Sequence, residues 1–141
     1  MPESTTPTTF DPSELSPQEY LAWQGLRAAQ MLAYKTSFDA GWHTELATGQ
    51  PKKRNFGEAI ALMHSELSEA LEADRKGLMD DKLPHRDGRE VEFADCVIRI
   101  LDIAEANGFD VASAFIEKNR FNKARADHKI ENRAQAGGKA Y

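Results

Sequence analysis

The segment from His64 to Asp102 sets the tightest limit on how this chain can fold. Two acidic pairs, Glu66-Leu-Ser-Glu69 and Glu92-Phe-Ala-Asp95, sit in stretches whose pattern is helical and mostly apolar. Residues three apart share a helix face, so each pair presents two carboxylates side by side. If the two helices pack antiparallel, four carboxylates converge. Acids crowded beside apolar groups lose hydration and repel one another, a cost of several kcal/mol per ion that calls for a cation. A hard divalent ion with oxygen ligands, Mg²⁺ or Mn²⁺, is the natural compensation.

The rest of the chain supplies helices to complete a core. Residues 1–15 carry Pro2, Pro7 and Pro12 among Ser, Thr and acids, which predicts a flexible N-terminal arm. Ser16-Pro17-Gln18-Glu19 has the form of a capping box, opening a helix expected to reach Phe38 or Asp39, with Tyr20, Trp23, Met31, Tyr34 and Phe38 on an apolar stripe. Gly41 ends it, and a polar loop follows with the basic run Lys52-Lys53-Arg54. Asn55, with Glu58 three residues on, caps a second helix over 56–76 that stops at Gly77. Its predicted core stripe is Phe56, Ile60, Met63, Leu67 and Leu71, with Glu66 and Glu69 on the flank.

The third helix, over about 89–106, is apolar almost all round except for one stripe, Glu92, Asp95, Arg99 and Asp102. Asp110 caps a fourth helix predicted to run from Val111 to about His128, with Lys118, Asn122 and Arg125 on one face. Residues 129–141 form a polar tail. With no β-type alternation, the expectation is an all-α domain over 16–128, a four-helix bundle assembled as an oligomer.

Composition narrows the function. At 141 residues the chain suits one domain, and a formal charge of -5 argues against binding a nucleic acid polymer. The lone Cys96 excludes an internal disulfide and predicts a reducing, cytoplasmic setting, or the host cytoplasm for a viral protein. No stretch has the length of an apolar membrane span.

Carboxylate-held Mg²⁺ or Mn²⁺ neutralises phosphate oxygens and acidifies a bound water, while Lys118, Asn122 and Arg125 offer donors to further phosphate oxygens. At these residues the chain resembles the MazG-like all-α nucleoside triphosphate pyrophosphohydrolases, whose pattern is Glu-x-x-Glu, a gap, then Glu-x-x-Asp. Here Glu66/Glu69 and Glu92/Asp95 match across 22 intervening residues. Lys118-x-x-x-Asn122-x-x-Arg125 resembles the family's phosphate-contacting segment, and the terminal Gly137-Gly138-Lys139 is similar to the end of many small members. The resemblance covers residues 56–141. It implies cleavage of an NTP or dNTP between the α and β phosphates, with the metal at Glu66, Glu69, Glu92 and Asp95; a purine dNTP such as dGTP is a candidate substrate that no motif specifies. It also implies a homodimer or a homotetramer built as a dimer of dimers, with helices of two subunits building a site.

Asp102 is expected to brace Lys118 or Arg125 or to touch the substrate, and Arg99 to be its counter-ion. Trp42, His43, Asn55, Phe56 and His85 are candidates for base contact. The alternatives are a phosphoribosyl-ATP pyrophosphohydrolase-like enzyme and a non-catalytic helical dimerisation module whose acids pair with a partner's basic groups. A di-iron bundle needs Glu-x-x-His pairs, which this sequence lacks.

Overall fold

The computed structural model describes residues 9–140, all in helices, turns and loops; among these residues the β pairing is confined to two isolated bridges. The first half of the predicted arm, residues 1–8, lies outside the described part. The second half holds a single 3-10 turn over Pro12–Glu14, capped by Asp11.

Helix α1 is Pro17–Asp39, α2 Phe56–Lys76, α3 Gly88–Ala106 and α4 Val111–Ala124. The expected capping box opens α1: Ser16 N–H donates to Glu19 Oε2 (2.9 Å), and Glu19 N–H to Ser16 Oγ (3.2 Å). Asn55 Oδ1 accepts from Glu58 N–H at 2.9 Å to start α2, and Gly77, at φ +63°, ends it in the left-handed conformation that glycine tolerates best.

Helix α4 is shorter than its pattern predicts. Arg125 turns extended (φ -65°, ψ 133°), and a 3-10 turn, Ala126–His128, and a fifth short helix, α5 (Ile130–Arg133), follow. Arg125 is tied to Asp127 by two hydrogen bonds, 2.9 and 2.6 Å, a local pairing that competes with helix continuation. The tail folds back on α5: Arg133 donates to the carbonyls of Lys139 and Ala140, and a Cβ at Gly138 would collide with the Arg133 carbonyl.

The chain divides into two compact units, Ala28–Phe109 and the remainder. In the remainder, Trp23 Nε1 donates to Ser113 Oγ (3.1 Å), and Arg120 grips Glu19 with two bonds of 2.8 and 2.7 Å.

In the Ala28–Phe109 unit, α2 packs on α3. Arg89 meets Asp74 beside the connecting loop, while Cys96 and Arg99 reach Met63 and Glu66 farther along, so the two helices run antiparallel. The buried apolar residues of α2 are all small, Ala59, Ala70 and Ala73, while α3 buries Cys96, Leu101, Ile103 and Ala104. Gly88 belongs to the same fit, since a Cβ there would lie 2.9 Å from the Leu78 carbonyl oxygen and 3.0 Å from Ala73 Cβ.

The predicted core stripe of α2 is therefore only partly buried within one chain. Leu67 and Leu71 are 48% and 58% exposed, and on α3 Phe93, Val97 and Ile100 are exposed as well. Helical periodicity identifies an apolar face, but the residues of α2 buried within one chain, Ala59, Ala70 and Ala73, lie on the flank of that face.

Candidate metal centre and adjoining cavity

Antiparallel pairing of α2 with α3 brings the two acidic motifs together. Ligand oxygens of Glu66, Glu69 and Glu92 all lie within 4.8 Å of one another. Glu66 is buried, Glu92 half-buried and Glu69 exposed, so the group grades from core to surface. Asp95 is outside this three-way group but feels the charge of Glu66. Loss of hydration, then the Glu66 hydrogen bond and the charges of Glu69, Glu66 and Asp95, push the Glu92 carboxyl up to about 7. Asp95 is raised too, by desolvation first and Glu66 second, with Arg99 opposing.

Arg99 is the local compensation. Its Nε donates to Glu66 Oε1 at 2.5 Å, so Arg99 serves Glu66 and not Asp102 as the stripe had suggested. One guanidinium against four carboxylates leaves a negative excess. All-oxygen donors, close spacing and a proton held near neutrality fit a hard divalent ion, which Glu66, Glu69 and Glu92 would hold, with Asp95 beside them.

Glu66, Asp95 and Arg99 also line a cavity of about 800 Å³ in the Ala28–Phe109 unit. The same cavity is lined by Trp42, Lys52, Lys53, Arg54, Asn55 and Asp102. Asp102 is 4% exposed and its oxygens are fully engaged: His43 Nε2 donates to Oδ1 (2.6 Å), and Ser37 Oγ and Arg54 Nη1 donate to Oδ2 (both 3.1 Å). Its partners are thus Ser37, His43 and Arg54.

His43 is itself buried, its ring 4.8 Å from that of Tyr34, which makes it a support for Asp102. Loop geometry explains how His43 and Arg54 reach one carboxylate. Gly41, at φ +83°, turns the chain after α1, and the Thr44–Pro51 bridge with Lys52 N–H donating to the His43 carbonyl (2.9 Å) pins the loop's two arms together. Sequence reasoning placed Asp102 on the right face and flagged the basic run; Ser37 carried no signal, being one serine in a helix.

Lys118, Asn122 and Arg125 belong to the other unit, whereas His85 and Phe56 lie within Ala28–Phe109. Lys118 Nζ stands 4.7 Å from the centre of the Phe121 ring, Arg125 is paired with Asp127, and Asn122 is half-buried. His85 is exposed in the α2–α3 loop, and Phe56 packs edge-on against Phe109 at 6.2 Å. No protein-family model, curated protein or solved structure matches the chain.

Proposed function

We propose that this protein is a metal-dependent nucleotide pyrophosphohydrolase, splitting an NTP or dNTP into the monophosphate and pyrophosphate. The observation that carries the reading is the meeting of Glu66, Glu69 and Glu92, of which Glu66 lines a nucleotide-sized cavity that also holds Lys52 and Lys53, basic side chains with no ion-pair partner among the described residues. When bound, Mg²⁺ or Mn²⁺ supplies charge neutralisation for phosphate oxygens and lowers the pKa of water. Asp95, exposed and outside the three-glutamate group, is the carboxylate left to take the proton from the attacking water, and the upward push on its pKa from desolvation and Glu66 makes it a stronger base than a free carboxylate. Lys118, Asn122 and Arg125 contribute phosphate contacts in this reading, Arg125 by exchanging Asp127 for phosphate.

The assembly is a homodimer or a dimer of dimers in a helical bundle. Leu67, Leu71, Phe93, Val97 and Ile100, large apolar residues left open on α2 and α3, support a second copy as their cover.

One observation favours the rival, non-catalytic module: Glu66 already has an ion-pair partner in Arg99. A thermal shift separates the two readings. A metal centre predicts that millimolar Mg²⁺ or Mn²⁺ raises the melting temperature of the wild type and not of Glu92→Gln, whereas a salt-bridge module gives no difference between them. Lys118→Ala and Arg125→Ala should raise KM with Mg²⁺ affinity unchanged; equal loss of metal affinity would remove both from the phosphate role.

A further inference from the structure

We propose that Arg54 reads the nucleobase, selecting guanine by a two-pronged contact to its O6 and N7 acceptors, and that Asp102 is the positioning residue that aims it. This rests on the nucleotide reading above. Asp102 lies seven residues beyond Asp95 on α3, about 10 Å along the axis at 1.5 Å per residue. Arg54 is fixed at Asp102, so its guanidinium is set about two helical turns from Asp95, a separation that fits the nucleoside end of a nucleotide whose phosphates meet the acids.

The wall there has the chemistry of a base pocket. Trp42 lines it and is 64% exposed, a free aromatic face for stacking. Arg54 is anchored through one nitrogen: among the described residues Nη1 to Asp102 is its one hydrogen bond, which leaves the rest of a planar five-donor fork for a ligand. Lys52 and Lys53 also line the cavity and have no ion-pair partner among the described residues, while Glu58, Glu66, Asp95 and Asp102 line it too. The free N–H donors of Arg54 favour an edge made of acceptors. Guanine offers two adjacent acceptors, whereas adenine places an amino donor beside its N7.

Asp102 is 4% exposed and both its oxygens accept hydrogen bonds from Ser37, His43 and Arg54, which suits it to support Arg54 better than to meet a ligand itself. Its role is to hold the guanidinium in one orientation, so that the fork is pre-organised before the base arrives.

The test is calorimetric binding of the non-hydrolysable α,β-imido analogues of dGTP, dATP, dCTP and dTTP to the full chain with Mg²⁺. The wild type should prefer the guanine analogue over the adenine one by about tenfold to a hundredfold, the range of a good bidentate contact. Arg54→Met should erase that preference while leaving adenine affinity nearly unchanged, and Arg54→Lys should not restore it. Asp102→Asn should lose the same preference, with no further loss in the Arg54→Met background. Arg54 is partly exposed, so its variants test the assignment even if Asp102→Asn unfolds; circular dichroism reports that. A uniform loss across all four analogues in Arg54→Met would make Arg54 a phosphate contact and overturn the inference. So would a wild type that binds none of them or shows no guanine preference. Hydrolysis is scored separately by pyrophosphate release, so binding without turnover would sink the hydrolase reading and leave base selection standing.

Discussion

At the scale of single residues, the centre is defined by how its charges are balanced. Glu92 shares its surroundings with Glu66, Glu69 and Asp95, and Arg99 forms an ion pair with Glu66 alone among them. Because the folded-state value of Glu92, about 7, lies above its ordinary 4.5, the metal-free fold holds a proton that the unfolded chain releases. The stabilising contribution is complete below pH 4.5 and fades as pH rises through 7. Thermal melts of the metal-free protein should therefore fall across that window, and Mg²⁺ should flatten the fall by taking the proton's place. A melting temperature that climbs over the same range would contradict the coupling of these acids. For the same reason Mg²⁺ affinity should strengthen from pH 5.5 towards 8. Replacing Glu69→Gln or Asp95→Asn should leave a folded protein with turnover reduced by about 100-fold or more, since ligands matter at least as much as the groups that orient them. Retained turnover in both variants would remove the acidic motifs from the chemistry.

At the scale of elements, the α2–α3 pair is what turns two distant motifs into one group. Caps and helix limits were plain in the sequence: Ser16 with Glu19, Asn55 with Glu58, and Gly77 each act as predicted. So was the common face of each acidic pair, because a spacing of three fixes a helix face whatever packs beside it; that Glu66, Glu69 and Glu92 meet depended on the antiparallel packing, which the sequence left as a condition. What stayed hidden depended on tertiary approach. The Ala-rich side of α2 became the intrachain interface, and the loop carrying His43 and Arg54 met an aspartate about fifty residues away, a pairing no local pattern encodes. Gly88 tests this close approach. Gly88→Ala must fit a Cβ against Leu78 and Ala73, and should cost about 1 to 3 kcal/mol in urea unfolding, as overpacking does. A neutral result would mean that the α2–α3 contact is looser than described. Asn55→Ala should cost about 1 kcal/mol through loss of the cap.

At the scale of the whole molecule, the apolar side chains left open on α2 and α3 connect assembly with activity. If a second copy covers them, the protein should elute with a light-scattering mass of two or four times 15.7 kDa, and Leu71→Glu should shift it towards the monomer with loss of turnover. A wild type that is monomeric at micromolar concentration would contradict the oligomeric reading. The central claim, that the clustered carboxylates serve pyrophosphate release from a nucleotide, is tested most directly by incubating the full chain with each NTP and dNTP in the presence of Mg²⁺ or Mn²⁺ and measuring pyrophosphate beside the monophosphate. The account predicts equimolar pyrophosphate and monophosphate from at least one nucleotide, abolished by chelation and by Glu92→Gln. Absence of pyrophosphate from every nucleotide, or release that persists in Glu92→Gln, would contradict it.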